Sequence, residues 1–377
     1  MNIILVTGIL LIAISLLTEK KYKPYVGFAF VLLIMGFQSG VEGDFMSYQD
    51  TFNFIAQSGR IDRTVESEPL FWILMKLFSW MPWWLFLFII SFFQVYILYI
   101  FVRKYTVKEY QFLSAILFFF TFNMMLMQMK ALRQGFAIEL MMLAFIMIDV
   151  LKQKKWLCVI PVLLSYLTHN SSLIIAPFIL LYYIVNRYPH LLTKENWKKN
   201  KSSLFPLIMT GIYFFMYFVK MTFLNQYLAP LVLLSAGDEA RFAGYFDPFN
   251  TREGMENNLN EISLLIVLYD ALIVYLVSWY YRGADSRMRV FCWISIVAAF
   301  GDMLFFGAGT LPRMFMYYNV FNLAVYPAIA EALRKRYGPV VAMFFIVLLF
   351  GYAIKTSLPW IVGTDEGRFG TYQFVFW

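Results

Sequence analysis

Charge is scarce in these 377 residues: Asp, Glu, Lys and Arg together make up 14%, against about a quarter in an ordinary soluble domain. Histidine is nearly absent, limited to His169 and His190, and the cysteines are Cys158 and Cys292. So few imidazoles and thiols disfavour a protein-bound metal. Both cysteines lie within hydrophobic runs; they read as core or lipid-depth residues and define no redox compartment. Internal repeats and low-complexity linkers are lacking too. No cleavable leader is evident, because Met1 to Leu17 has neither a basic start nor a small-residue cleavage site. The net charge of +8 does not point to nucleic acid, since the cations are spread over short segments rather than gathered on one stripe.

What is abundant is hydrocarbon: 61% of the residues are hydrophobic and 20% aromatic. That composition excludes a soluble enzyme and predicts an all-α polytopic membrane protein, with the chain organised as a single transmembrane domain over 1–377. Six basic clusters punctuate it: Lys20/Lys21/Lys23, Arg103/Lys104/Lys108, Lys152/Lys154/Lys155, Arg187 to Lys201, Arg282/Arg287/Arg289 and Arg334/Lys335/Arg336. All fall on the cytoplasmic side if the runs between them cross in pairs. The spans read 3–18, 24–39, 82–102, 110–129, 131–151, 156–168, 171–186, 203–221, 262–281, 290–309, 312–333 and 339–356. These twelve helices place both termini outside the cytoplasm. The stretch 69–81 is apolar but too short to cross and carries Lys76, so it reads as a half-helix or re-entrant segment on the outer face. Outer loops are expected at 40–68 and 222–261, with an aromatic outer tail at 357–377.

Under that topology the unusual polar residues gather on the outer face. Lys130, Arg133 and Gln134 sit where two hydrophobic runs meet, a costly place for cations unless an interface, a wet cavity or an anion compensates them. His169, Asn170, Ser171 and Ser172 form an outer turn, and Arg313 opens a span after Pro312. Asp44 and Tyr48 lie in the first outer loop, Glu68 precedes Pro69, and Asp302 lies toward the outer end of its span. Arginine forks at helix starts suit phosphate oxygens, while Asp44, Glu68 or His169 could take a proton from a hydroxyl. Each residue also has a plain structural reading. Lys130 and Arg133 could anchor to lipid phosphates, Glu68 could begin a helix, and His169 with Asn170 or Ser171 could cap one. Asp302 could pair with Arg313, and Glu139 and Asp270 could be buried packing polars. The coincidence of so many on one side favours a site for an anionic, hydroxyl-rich substrate.

Several short motifs, in order, resemble the EpsG/Wzy-type polysaccharide polymerases of bacterial envelopes. They are Gly43-Asp44 with Tyr48, Glu68-Pro69-Leu70-Phe71, Leu132-Arg133-Gln134, Thr168-His169-Asn170-Ser171-Ser172, Arg241-Phe242-Ala243-Gly244-Tyr245, and Pro312-Arg313 with Tyr317-Tyr318. The likeness runs along most of the chain and rests on order and spacing. It implies a GT-C-like membrane glycosyltransferase of the bacterial inner membrane. Such an enzyme joins undecaprenyl-pyrophosphate-linked oligosaccharide units into an O-antigen, capsule or exopolysaccharide at the outer face, without cofactor or metal. It further implies that Arg133 and Arg313, with Lys130 and Arg241 behind them, hold the pyrophosphate. Asp44, Glu68 and His169 become the base candidates, and Tyr48, Gln134 and Tyr245 orient sugar; Asn170 and Tyr317 are further candidates for substrate contact. A flippase and a chain-length regulator are the expected protein partners, alongside membrane lipid. Two competing readings are another lipid-carrier glycosyltransferase or ligase, and a transporter or flippase of lipid-linked sugars. A transporter should carry inverted repeats and midplane charge on broken helices; the missing repeat and the charge at one face favour the enzyme.

Overall fold

Long apolar runs leave the backbone one economical solution, the helix, in which every internal N–H and C=O is paired. A computed structural model accordingly gives a nearly all-helical chain. It describes residues 2–41, 44–61, 68–121, 123–152, 154–188, 204–221, 263–306, 311–363, 369 and 372–375. The chain forms two compact units, one from Met1–Tyr183 with Tyr326–Trp377 and the other from Ile184–Val325.

In the first unit α1 (Ile3–Leu17) packs on α2 (Lys23–Gly36), which packs in turn on α5 (Trp83–Tyr105) and α6 (Gln111–Phe120). Between α2 and α5 come α3 (Asp44–Ser58) and α4 (Pro69–Leu77), in contact with each other. Beyond α6 the chain runs through α7 (Met125–Lys130), α8 (Leu132–Val150), α9 (Val159–Thr168) and α10 (Ala176–Arg187). α8 is the hub, packing against α5, α7 and α9. The second unit contains α11 (Phe205–Val219), α12 (Leu264–Tyr281), α13 (Ser286–Leu304) and α14 (Met316–Asn319). After α15 (Asn322–Tyr337), α16 (Pro339–Val362) completes the first unit against α6.

Three of these helices, α5, α12 and α16, are long and apolar enough to cross a membrane; α1, α2, α9 with its preceding turn, and α11 are shorter apolar helices. Large side chains such as Phe344, Met343 and Val347 of α16 are 61–69% exposed, the surface expected of a helix facing lipid. α4, with nine residues, rises only about 14 Å, which agrees with the half-helix expected there.

Several expected elements differ. The run 110–129 is two helices rather than one span. Thr121 turns to extended backbone (φ −88°, ψ 120°) at the end of α6, where its β-branched hydroxyl side chain and the nearby Asn123 disfavour helix. The carbonyl freed at Phe120 accepts a hydrogen bond from Ser357 of α16. The region 171–186 opens as a 3-10 turn over Asn170–Ile175, and 312–333 is divided among a 3-10 turn (Leu311–Phe315), α14 and α15. The loop expected at 40–68 holds the helix α3, whose Phe45, Tyr48, Phe52 and Ile55 form one buried stripe at helical spacing. Nor is the chain wholly α: Gln38–Ser39 (β1) pairs antiparallel with Gln373–Phe374 (β2), and residues 357–362 of the expected tail continue α16.

This pairing ties the chain ends to one end of the first unit. The Asn2 amide donates to the carbonyls of Ile361 and Phe369, and Tyr372 Oη donates to Ile34 O at 2.9 Å. Gln38 Nε2 donates to Met129 O at 3.4 Å, which brings the end of α7, and with it Lys130, to the same place.

In the second unit, buried cations serve as caps. Lys220, fully buried, donates to Met303 O and Phe306 O at 2.8 and 2.9 Å, satisfying carbonyls at the end of α13. Arg289, also fully buried, does the same for α12 through Tyr281 O and Arg282 O. Asp285 caps the start of α13 by accepting from the N–H groups of Arg287 and Met288.

Candidate functional site

The joint between α7 and α8 is a single residue, Ala131, so Lys130 ends one helix and Arg133 stands in the first turn of the next. Opposite it, Pro69 begins α4 and leaves Glu68 at the position before the helix. Glu68 adopts left-handed backbone (φ 71°, ψ 55°) and is the one non-glycine residue with positive φ among those described. That conformation costs a non-glycine residue about 1–3 kcal/mol and persists only where the surroundings enforce it. Its carboxylate does not cap α4; it turns to other elements instead.

Oε2 of Glu68 receives Nη1 of Arg133 at 2.7 Å. Oε1 receives two donors, the Asn170 backbone N–H and Nδ1 of His169, each at 2.8 Å. A carboxylate has no proton to give, so the His169 Nδ1 is the donor, and Nε2 is the nitrogen that bears the lone pair whenever the imidazole is neutral. Arg133 also donates from Nε to the Tyr48 hydroxyl at 3.2 Å. Its guanidinium lies 5.1 Å from the Trp72 ring centre and 5.6 Å from that of Tyr48, both within cation–π range. Four elements therefore meet at one charge cluster: α3 through Tyr48, α4 through Glu68 and Trp72, α8 through Arg133, and the turn after α9 through His169.

Local packing explains the convergence. α4 packs on α3 and α9, and Ser165 of α9 donates to the Ala137 carbonyl of α8 at 2.7 Å. One turn later α9 ends, and His169 leaves it with extended backbone (φ −158°, ψ 113°) and no side-chain cap. The ring is thus free of the capping role open to it on sequence grounds and reaches Glu68.

Electrostatics follows from these contacts. Burial pushes the Glu68 carboxyl upward, but the His169 hydrogen bond and charge, the Asn170 N–H and the Arg133 charge together outweigh it and hold the group below the ordinary carboxylate value. Burial raises the Tyr48 phenol above its usual value, against the pull of Arg133, so it stays protonated. The side chains of Glu68, Arg133 and His169 are 10, 21 and 24% exposed, enough for the ring and guanidinium to meet a ligand.

Asp44 begins α3 one turn before Tyr48, close enough for its charge to act on the phenol. Gln134 follows Arg133 and is buried, and Lys130 is half-buried at the end of α7. Arg313 and Tyr317 belong to the second unit, Arg313 in the 3-10 turn before α14 and Tyr317 buried within α14. There the Asp302 carboxylate accepts from Asn319 Nδ2 at 2.9 Å, and Asp270 accepts from the Tyr213 hydroxyl at 3.3 Å. Arg241 and Tyr245, like Gly43 and His190, lie outside the described residues. Among the described residues no group of three or more His, Cys, Asp and Glu side chains could hold a metal.

Trp72 escaped the sequence reading. Its signal was slight: an aromatic residue in the first turn of the half-helix that Glu68 and Pro69 introduce. The same holds for Gln94 and Gln128, polar residues within apolar runs.

No curated protein matches the chain, and no solved structure does. The model of the EpsG family matches residues 25–361. This range takes in every described residue of the cluster, from Tyr48 to Asn170, and nearly all of the helices that hold it. The chain therefore belongs to the EpsG family.

Proposed function

We propose that this protein is a polysaccharide polymerase of the bacterial plasma membrane, joining undecaprenyl-pyrophosphate-linked oligosaccharide repeat units at the outer face. The observation that carries the reading is the Glu68 carboxylate held between Arg133 and His169, within a chain of the EpsG family. In this reading His169 Nε2 takes the proton from a sugar hydroxyl of the incoming unit. The hydroxyl oxygen bonds to the anomeric carbon of the growing chain, and the anomeric carbon–oxygen bond to pyrophosphate breaks. Undecaprenyl pyrophosphate leaves with the electron pair.

Glu68 is a poor base for this step, because three donors hold its charge and its carboxyl sits below the ordinary range. It acts through His169, fixing the tautomer and stabilising the imidazolium that forms. Imidazole is the side chain best matched to proton transfer near neutral pH. Arg133 orients Glu68 and adds positive charge on the side where phosphate charge develops. Tyr48, Trp72, Gln134 and the Asn170 side chain line the sugar path, and Asp44 is the second base candidate. Lys130, Arg241 and Arg313 keep their candidacy for the pyrophosphate on sequence grounds, with Tyr245 and Tyr317 as sugar contacts. Twelve crossings, a GT-C-like arrangement and both termini outside the cytoplasm complete the proposal. A flippase supplying the substrate and a chain-length regulator are its proposed partners.

The test is the polymer made in cells carrying His169→Ala or Glu68→Gln, with membrane insertion and protein level measured alongside. His169→Ala should reduce polymer at least about 100-fold while lipid-linked single repeats accumulate at the outer face. Glu68→Gln should cost less, since it removes orientation and not the base itself. Polymer of normal length from an inserted His169→Ala protein would overturn the assignment. Repeats stranded on the cytoplasmic face would point to a flippase.

A further inference from the structure

Behind the charge cluster, α5, α7 and α8 enclose three polar side chains that the proposed reaction does not use. Gln94, Gln128 and Glu139 are 1, 0 and 0% exposed. The side-chain amides of Gln128 and Gln94 approach the Glu139 carboxyl to within reach of a hydrogen bond. Yet at none of their six polar atoms, Oε1 and Nε2 of each glutamine and both Glu139 oxygens, does an approach reach the distance and angle of a formed hydrogen bond. In a membrane protein the surrounding medium offers no water to make up that deficit. Buried polar groups are otherwise almost always paired, and a fully buried carboxylate without a counter-charge is among the costliest arrangements a fold can hold.

The backbone at Gly135 makes room for the two amides. A Cβ at Gly135, one turn before Glu139, would fall 2.7 Å from Gln94 Nε2 and 3.0 Å from Gln128 Cβ. Any side chain there would push the amides aside, so glycine at this position preserves the three-sided polar enclosure.

We infer that Gln94, Gln128 and Glu139 form a site for one dehydrated monovalent cation, sodium in size and hardness. The chemistry of the donors selects it. Two carboxylate oxygens and two amide carbonyl oxygens are hard ligands, with no thiolate or imidazole to favour a transition metal. One carboxylate balances one positive charge; a divalent ion would leave a net charge in the apolar core. The amide N–H2 groups rotate outward as the carbonyls turn to the ion, a reorientation open to any glutamine. The ion would stiffen the α7–α8 joint, on which Lys130 and Arg133 stand.

The experiment uses the purified full-length protein in detergent, followed by thermal unfolding through its tryptophan fluorescence. Sodium chloride is titrated against choline chloride at constant ionic strength and pH. The midpoint should rise by a few degrees with sodium and level off, as expected for a ligand bound only by the folded state. Glu139→Gln, close to isosteric, should fold and lose the response. Should that variant fail to fold, equilibrium binding of radioactive sodium to the wild-type protein decides, with one ion per chain expected. No sodium response and no bound ion, or an unchanged response in a folded Glu139→Gln protein, overturns the proposal. A midpoint that follows pH alone overturns it too, in favour of a proton on Glu139. No result depends on polymerase activity, so this inference and the functional reading can fail separately.

Discussion

At the scale of single residues, Glu68 concentrates more physics than any other position in the described chain. It holds a left-handed backbone immediately before proline, where ordinary helix-region backbone is disfavoured, and its two oxygens gather three donors. The depressed carboxyl fixes the sign of its pH dependence. Because the folded-state value lies below the unfolded one, the contribution to stability is complete above the ordinary carboxylate range and is lost as pH falls through the lower folded value. Thermal unfolding of wild type and Glu68→Gln should therefore differ at neutral pH and converge on acidification through that range. A gap that widened on acidification would mean that the carboxylate is not held by its cationic neighbours. Tyr48, Glu68, Arg133 and His169 were legible in the sequence as a set, through unusual charge beside apolar runs, whereas Trp72 was not. Their roles were not. A residue before proline reads as a helix start, and only the fold reveals that its side chain faces away from that helix toward His169 and Arg133.

At the scale of elements, close helix contact depends on small residues. A Cβ on Gly27 of α2 would meet the Ala115 Cβ of α6 at 2.7 Å, so the two helices touch nearly backbone to backbone, as small residues permit in membranes. Gly27→Leu should separate them and destabilise the protein by about 1–3 kcal/mol, the usual cost of overpacking. Gly351 of α16 has nothing within 4 Å of its added Cβ, so Gly351→Leu serves as the neutral control; unfolding midpoints check both. Most helices could be anticipated from their apolar runs, and α4 from Pro69 and its length. The break between α6 and α7 was harder to read, because one continuous apolar run hides two helices when only Thr121 and Asn123 interrupt it. α3 was missed for the opposite reason: its polar residues masked the stripe of Phe45, Tyr48, Phe52 and Ile55. The strand pair lay beyond reach, since two residues on each side carry no periodicity.

At the scale of the whole chain, the first unit is assembled from two segments far apart in sequence. Beyond Gly363, the closing contacts of the described residues include β2 on β1, Val375 N to Phe37 O at 3.0 Å, Tyr372 to Ile34, and Asn2 to Phe369. At about 0.5–1.5 kcal/mol for each hydrogen bond, a chain ending at Gly363 should lose roughly 2–6 kcal/mol. Limited proteolysis in detergent should then cut sooner near Gln38. Equal protease resistance of the full and shortened proteins would mean that these contacts contribute little.

The same closure has a consequence in time. β1 leaves the ribosome early, and its partner strand follows about 334 residues later, from Ser39 to Gln373. At ordinary synthesis rates the interval is on the order of tens of seconds. Throughout it Gln38 and Ser39 wait without β2, and the Ile34 carbonyl waits without the Tyr372 hydroxyl. Completion of the unit that carries Glu68, Arg133 and His169 thus waits for the synthesis of residues 372–375, and a chain released before them would be inserted but left unlatched.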